Sequence, residues 1–283
     1  MKILVTGFNG QLGFDVVKEL EIRNIQCKGV DMADFDITDE TAVSAYIKNY
    51  APDAVVHCAA YTAVDRAEDD PQTCEKVNAL GSENLAKVCG EIGAKMVYIS
   101  TDYVYGGRGE APFEPSDEVS PCNVYGKTKL AGEEAVKKYC EKYFIIRTSW
   151  VFGINGGNFV KTMLRLAETH DTLTVVADQI GSPTYTPDLA RLICDMVVSE
   201  KYGTYHGTNE NYCSWCEFAQ AIMKAAGKAT VIKPVTTAEY GAKAARPLNS
   251  RLSKKCLDDA GFSRLPTWQN ALERYLKELN VGA

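Results

Sequence analysis

The stretch SPCNVYGKTKLAGEEAV (120–136) sets Tyr125 and Lys129 four residues apart in a segment patterned as a helix, hence on one face. A phenol ordinarily ionises near pH ~10, too high for acid–base work at neutral pH. An adjacent ammonium favours the phenolate and lowers that value. The pair is therefore a candidate proton donor and acceptor for a carbonyl or alcohol. On spacing alone a surface tyrosine beside a solvated lysine is the commoner reading. Upstream, YISTDYVYGG (98–107) reads as a strand ending in Ser100, Thr101 and Asp102. A hydroxyl at such a strand end can donate to a substrate oxygen. At the start of the chain, VTGFNGQLGFD (5–15) spaces Gly7, Gly10 and Gly13 as G-x-x-G-x-x-G. That is close to the dinucleotide fingerprint without matching it.

The elements that must position these groups alternate. The apolar, β-branched run at 2–6 and the segments at 26–31, 53–59, 95–100 and 143–148 read as strands, with helical patterns at 39–49, 72–92 and 123–141 between them. After the glycine turn, Leu12, Val16, Val17 and Leu20 fall on one helical face. Strand, glycine turn and helix is the order a pyrophosphate site requires. The glycines allow close backbone approach, and the free N–H groups of the helix start point at the charge. The alternation predicts an α/β fold with a doubly wound parallel sheet, its chemistry beyond the carboxyl ends of the strands. The second half is less regular: a short strand and Gly/Pro loop over 173–185, then helices near 187–199, 215–226 and 267–279. The expected division is a dinucleotide-binding domain over 1–150 that carries the Tyr/Lys pair. A smaller substrate-binding lobe covers most of 151–283, with the chain crossing between the two.

The second strand ends at Asp31, 18 residues after Gly13. An acid there accepts hydrogen bonds from the adenosine ribose and repels a 2′-phosphate. No arginine lies between residues 24 and 45, and Lys28 falls inside the strand. The residues by themselves point to NADH.

Composition narrows the class. The 283 residues are 46% hydrophobic and 24% charged, as in an ordinary globular protein. A net charge of −6 without a basic block argues against nucleic acid as the partner. No apolar run is long enough to span a bilayer, and the chain enters a strand at once with no leader, so a cytoplasmic location is expected. Most of the ten scattered cysteines fall in apolar segments and read as reduced core thiols. In CSWC, Cys213 and Cys216 have redox or metal spacing, but SWCE also reads as a capping box, Ser214 capping and Glu217 reaching back.

With the stretches CAAYTAVDRAE, VNALGSENLA, IRTSWVFG, DQIGSPTYTPDLA and RPLNSRLS added to those above, the whole chain resembles the extended short-chain dehydrogenase/reductase family. The resemblance implies a Rossmann-like fold and NADH or NADPH as cofactor. The implied reaction is reduction of the 4-keto group of dTDP-4-dehydro-L-rhamnose, a step towards polysaccharide precursors. It implies that Tyr125 protonates the sugar oxygen as hydride arrives, that Lys129 holds the nicotinamide ribose and lowers the Tyr125 pKa, and that Thr101 orients the carbonyl. Gly10, Gln11 and Leu12 are expected over the pyrophosphate, Asp36 and Ile37 by the adenine, and Ala60, Tyr61 and Thr62 along the groove after the third strand. Asp102 and Trp150 are expected at the sugar, Arg246 at the diphosphate and Asn158 at the nucleotide, with Asp178 and Gln179 in a loop closing over the substrate. Related dehydratases carry Glu after Thr-Asp where this chain has Tyr103, and epimerases carry a second hydroxyl residue where it has Asp102, so reduction is the better reading. Another nucleotide-sugar reductase or epimerase remains an alternative, as does a non-catalytic NADP-binding regulatory subunit of methionine adenosyltransferase type. Some members dimerise through a metal held by a Glu after the third glycine. Asp15 stands there and four residues follow Leu279, so no metal and a monomer or weak dimer are expected.

Overall fold

The computed structural model describes residues 1–281. Its central sheet contains β1 (Lys2–Thr6), β2 (Gln26–Val30), β3 (Ala54–His57), β4 (Lys95–Thr101), β5 (Tyr143–Thr148) and a sixth strand, Gly203–His206. All pair in parallel, in the spatial order Gly203–His206, β5, β4, β3, β1, β2. The strand order reverses beside β1, which opens a crevice at the carboxyl ends of β1 and β3. The fold is the expected doubly wound, Rossmann-like one.

Period-two alternation explains the two layers of core. Ile3, Val5, Ala54, Val56, Phe144 and Ile146 face one side, where they meet Val16 and Leu20 of helix α1 (Gln11–Ile22). Leu4, Val55 and Ile145 face the other, against Val43, Leu85 and Val136. Burial on both faces is why these strands read as continuous apolar runs.

The sixth strand, GTYH, was missed by sequence reasoning. It has one strongly apolar position, Tyr205, and occupies the sheet edge. It arrives with the helix Thr186–Val197, whose Leu189, Ile193 and Val197 complete the first core. The chain thus returns to the six-stranded sheet well after residue 150. A second core gathers Phe152, Tyr185, Phe218, Trp268 and Tyr275.

The helix expected over 72–92 is a continuous helical run with a π turn at Lys76–Leu80, flanked by Pro71–Glu75 and Gly81–Ile92. Such insertions re-aim side chains near functional sites. Here the re-aimed residue is Asn78, which exchanges hydrogen bonds with the Tyr61 backbone at 2.8 and 3.1 Å.

The helix Val124–Tyr139 is fixed to the sheet by a buried ion pair. Arg147 of β5 donates from Nε and Nη2 to the two Glu133 oxygens at 2.9 and 2.7 Å. Ser100 of β4 donates to the same carboxylate at 2.6 Å. Arg147→Met leaves this carboxylate buried without its partner, at a cost of about 3–5 kcal/mol. In urea unfolding the midpoint should fall with an unchanged slope; a midpoint within error of wild type would show that the pair contributes little.

Candidate active site

The cleft at the carboxyl ends of the strands has a volume of about 700 Å³. Its floor is the glycine turn. Gly7 has φ +70°, and a side chain there would meet Ala59 N at 2.6 Å. A Cβ on Gly13 would stand 2.3 Å from Gly7 O. Backbone of β1, α1 and the segment after β3 is therefore packed as tightly as glycine permits, with the α1 N-terminus opening on the cleft. His57 lies beneath, neutral and buried. Its Nε2–H donates to Ser82 Oγ at 3.1 Å, because that hydroxyl spends its own proton on Asn78 O. Its Nδ1 accepts from Thr6 Oγ1 at 2.7 Å. Burial and the Lys129 charge push this imidazole down to about 3.

Of the eighteen residues expected at catalytic, cofactor or sugar contacts, the closing loop aside, fifteen line this cleft: Gly7, Gly10, Gln11, Leu12, Gly13, Asp31, Asp36, Ile37, Ala60, Thr62, Thr101, Asp102, Tyr125, Lys129 and Trp150. Three do not. Tyr61 has its backbone tied to Asn78. Asn158 caps the helix Phe159–Leu166 and donates to Gln11 Oε1, Gly153 O and Tyr275 Oη at 3.0, 2.9 and 2.9 Å. Its polar atoms are committed to the frame rather than turned to the cleft lining. Arg246 is held by Asp65 through two hydrogen bonds at 3.0 and 2.7 Å, with no free fork turned towards a diphosphate. Asp178 and Gln179 are likewise bound to Thr237 outside the cleft wall. Asp31 is at the rim, where its carboxylate accepts from Asn9 N and Met32 N.

The electrostatics correct one expectation. Burial, then the Asp102 carboxylate, push the Tyr125 phenol up, and the nearby Thr101 hydroxyl pulls it down. The net direction is upward, where a lowered value was expected beside Lys129. Burial brings the Lys129 ammonium itself down to about 7, against the pull of Glu133, Cys58 and Cys74. Its Nζ stands 4.1 Å over the Tyr98 ring, and Tyr98 Oη donates to the Lys129 carbonyl at 3.1 Å. Asp102 is raised to about 6 by burial. Its Oδ1 accepts from Thr101 Oγ1 at 3.0 Å, whereas Oδ2 and the Thr148 hydroxyl have no partner in the protein. Such unpaired buried polar atoms fit a polar ligand in the cleft.

Among the other lining residues, Trp215 was given no role in the sequence, and Tyr103 served there only to separate reduction from dehydration. Tyr103 packs edge-on to Tyr125, and Trp215 stacks on Trp150 with centroids 3.8 Å apart at 15°. Trp215 was hidden because SWCE carries a helix-cap signal. That capping box is present, and Cys213 and Cys216 are buried free thiols. Asp15 is buried and accepts from Thr186 Oγ1, and the described residues contain no metal-binding cluster.

Residues 1–281 match the family described as RmlD substrate binding domain. This chain belongs to that family. It is similar to the spore coat polysaccharide biosynthesis protein SpsK of Bacillus subtilis (strain 168), 44% identical over 98% of this chain and 97% of that protein. Among solved structures it is similar to a dTDP-4-dehydrorhamnose reductase from Clostridium acetobutylicum, 43% identical with TM-score 0.97, over 99% of this chain and 100% of that one. The dTDP-4-dehydrorhamnose reductase of Bacillus anthracis, solved in complex with NADP, is 42% identical with TM-score 0.96, over 98% and 99% of the two chains. In this member of the RmlD family the glycine floor, the open helix N-terminus and the unpaired cleft atoms fit such a dinucleotide.

Lys129 has a stability signature. Its folded pKa of about 7 lies below the ordinary 10.5. Between those values the unfolded chain holds more protons, so this group makes wild-type stability rise with pH across the window. Without cofactor, Lys129→Met should be more stable than wild type at and below pH 7, the advantage shrinking to nothing towards pH 10.5. Denaturant titrations at several pH values decide it. A variant less stable at pH 7, or an advantage independent of pH, would rule out a strained buried ammonium.

Proposed function

We propose that this protein is an NAD(P)H-dependent oxidoreductase that reduces the 4-keto group of dTDP-4-dehydro-L-rhamnose to give dTDP-L-rhamnose, a precursor for polysaccharide. The observation that carries this reading is a single cleft with the glycine floor at one end and Thr101, Tyr125 and Lys129 on its other wall. The names of the two similar solved reductases supply the substrate.

Bound NAD(P)H supplies hydride. Gly7, Gly10, Gln11, Leu12 and Gly13 would hold its pyrophosphate, and Asp36 and Ile37 its adenine end. The chain's own work is proton transfer and positioning. Tyr125 is held protonated at neutral pH by its buried surroundings, the state a donor to a carbonyl oxygen requires. Its Oη delivers that proton to the sugar O4. Thr101 Oγ1, which donates to Asp102 Oδ1 here, would turn its hydroxyl to the carbonyl and orient it. Lys129 presents its ammonium to the nicotinamide ribose. Tyr103, in place of a glutamate, leaves no carboxylate at that position for removing water.

Nicotinamide oxidation with a panel of nucleotide 4-keto sugars tests the reading. Turnover is expected with dTDP-4-dehydro-L-rhamnose. Tyr125→Phe should keep cofactor affinity and lose about 10²-fold or more in turnover, the scale of a lost proton donor. No oxidation of either cofactor would favour a non-catalytic, cofactor-binding role instead. NADH is expected to work well, and NADPH is accepted too. A preference for NADPH above ~100-fold in kcat/KM would mean that Asp31 does not face the ribose.

A further inference from the structure

Trp150 adopts φ +50°, the left-handed region that residues with a side chain rarely enter. Strained backbone at a cleft persists only where its surroundings over-determine it. Two neighbours do so. The strand Ile180–Gly181 lies against the indole so closely that a Cβ on Gly181 would stand 2.9 Å from Trp150 Cε2. Trp215 is stacked on the Trp150 ring. Trp215 is itself anchored. It opens the helix Trp215–Ala225, whose cap residue Ser214 accepts from Glu217 N at 3.0 Å and donates its own N–H to Glu217 Oε2 at 2.7 Å. Cys213 and Ser214 pair with Gly181 and Ile180, so the ribbon that carries Gly181 also delivers the helix start at Trp215. Phe159 closes on Trp215 at 4.6 Å. Both indoles line the cleft.

We propose that Trp215 is a specificity-determining residue: stacked on Trp150, it builds an apolar two-indole wall that takes the deoxygenated edge of the sugar and disfavours a 6-hydroxyl. This rests on the reductase reading above. A flat hydrocarbon-like face gains from contact with a methyl group and offers a hydroxyl no partner, so the hydroxyl is desolvated without compensation.

Trp215→Leu keeps an apolar side chain and removes the stack, whereas Trp215→Phe keeps an aromatic face. The protein has three tryptophans, and the third, Trp268, packs on Phe218 instead. Coupled indoles give an exciton couplet in circular dichroism, which should be present in wild type and absent from Trp215→Leu. With NADPH saturating, Trp215→Leu should raise the KM for the 6-deoxy-4-keto sugar about tenfold and narrow its preference over the 6-hydroxy analogue, with kcat and NADPH affinity little changed; Trp215→Phe should recover most of the loss. An unchanged KM and sugar preference in Trp215→Leu overturn the inference. So does a fall in NADPH affinity parallel to the rise in KM, which would make Trp215 merely structural. If Trp215→Leu does not fold, Trp215→Phe decides: recovery of KM and preference supports the wall, and a tenfold loss despite the retained ring overturns it. Failure of wild type to turn over the 6-deoxy sugar counts against the reductase reading and with it the inference. A competent wild type beside an unaltered variant counts against the inference alone.

Discussion

The bidentate pair between Glu133 and Arg147 is the contact on which the rest of the site depends. Both side chains are buried, and Ser100 and Tyr105 share their remaining hydrogen-bonding capacity. Glu133 lies one turn beyond Lys129 and two beyond Tyr125 on the same helix face. Ser100 immediately precedes Thr101. One ion pair therefore sets the height of the Tyr–Lys helix over the strand end that carries the hydroxyl. A planar guanidinium meeting a carboxylate through two bonds fixes orientation as well as distance, which an ammonium would not do.

That pair also sets the charge environment of Lys129. The lysine is buried without a carboxylate in direct contact; its cation rests on the Tyr98 ring and on the field of a Glu133 already engaged by Arg147. A structural core would avoid this arrangement, because a buried cation with shared compensation is destabilising. Its presence where a cofactor ribose would lie is the usual sign of a site in which stability is given up for chemistry. The phenol follows the same logic from the other side. With Asp102 nearby and little solvent, Tyr125 holds its proton until an oxygen is there to accept it.

How much of this was legible in the sequence varies with the range of the interaction. The glycine spacing, the apolar strand runs and the Tyr-x-x-x-Lys turn are local, and all marked their elements within a residue or two. The sixth strand was not legible, because GTYH takes its place through edge pairing with β5 and the arrival of the Thr186–Val197 helix, neither of which is written in four residues. Arg246 and Asn158 had the right types for phosphate and nucleotide contact, yet both are satisfied by distant partners, Asp65 and Gln11. Trp215 failed for the opposite reason. Its local signal is a helix cap, and only the fold brings the indole across to Trp150.

The displaced role of Asn158 explains how the two halves of the cleft keep register. Gln11, at the start of α1, accepts from Gly153 N and from Asn158 Nδ2, both at 3.0 Å. Asn155 donates to Asn9 O at 2.8 Å, so the loop 153–158 lies directly on the glycine turn. Tyr275, fully buried in the second core, donates to Gly153 O and accepts from Asn158. The floor that would hold a pyrophosphate is thus wired to the core that supports Trp150 and Trp215. Any movement of the glycine turn must either carry the loop 153–158 with it or break these bonds together. A polar side chain near a cofactor turn is therefore ambiguous in sequence between touching the ligand and fixing the frame. Here the frame has claimed both of its polar atoms, and the wall that would face the sugar stays in register with the floor beneath the cofactor.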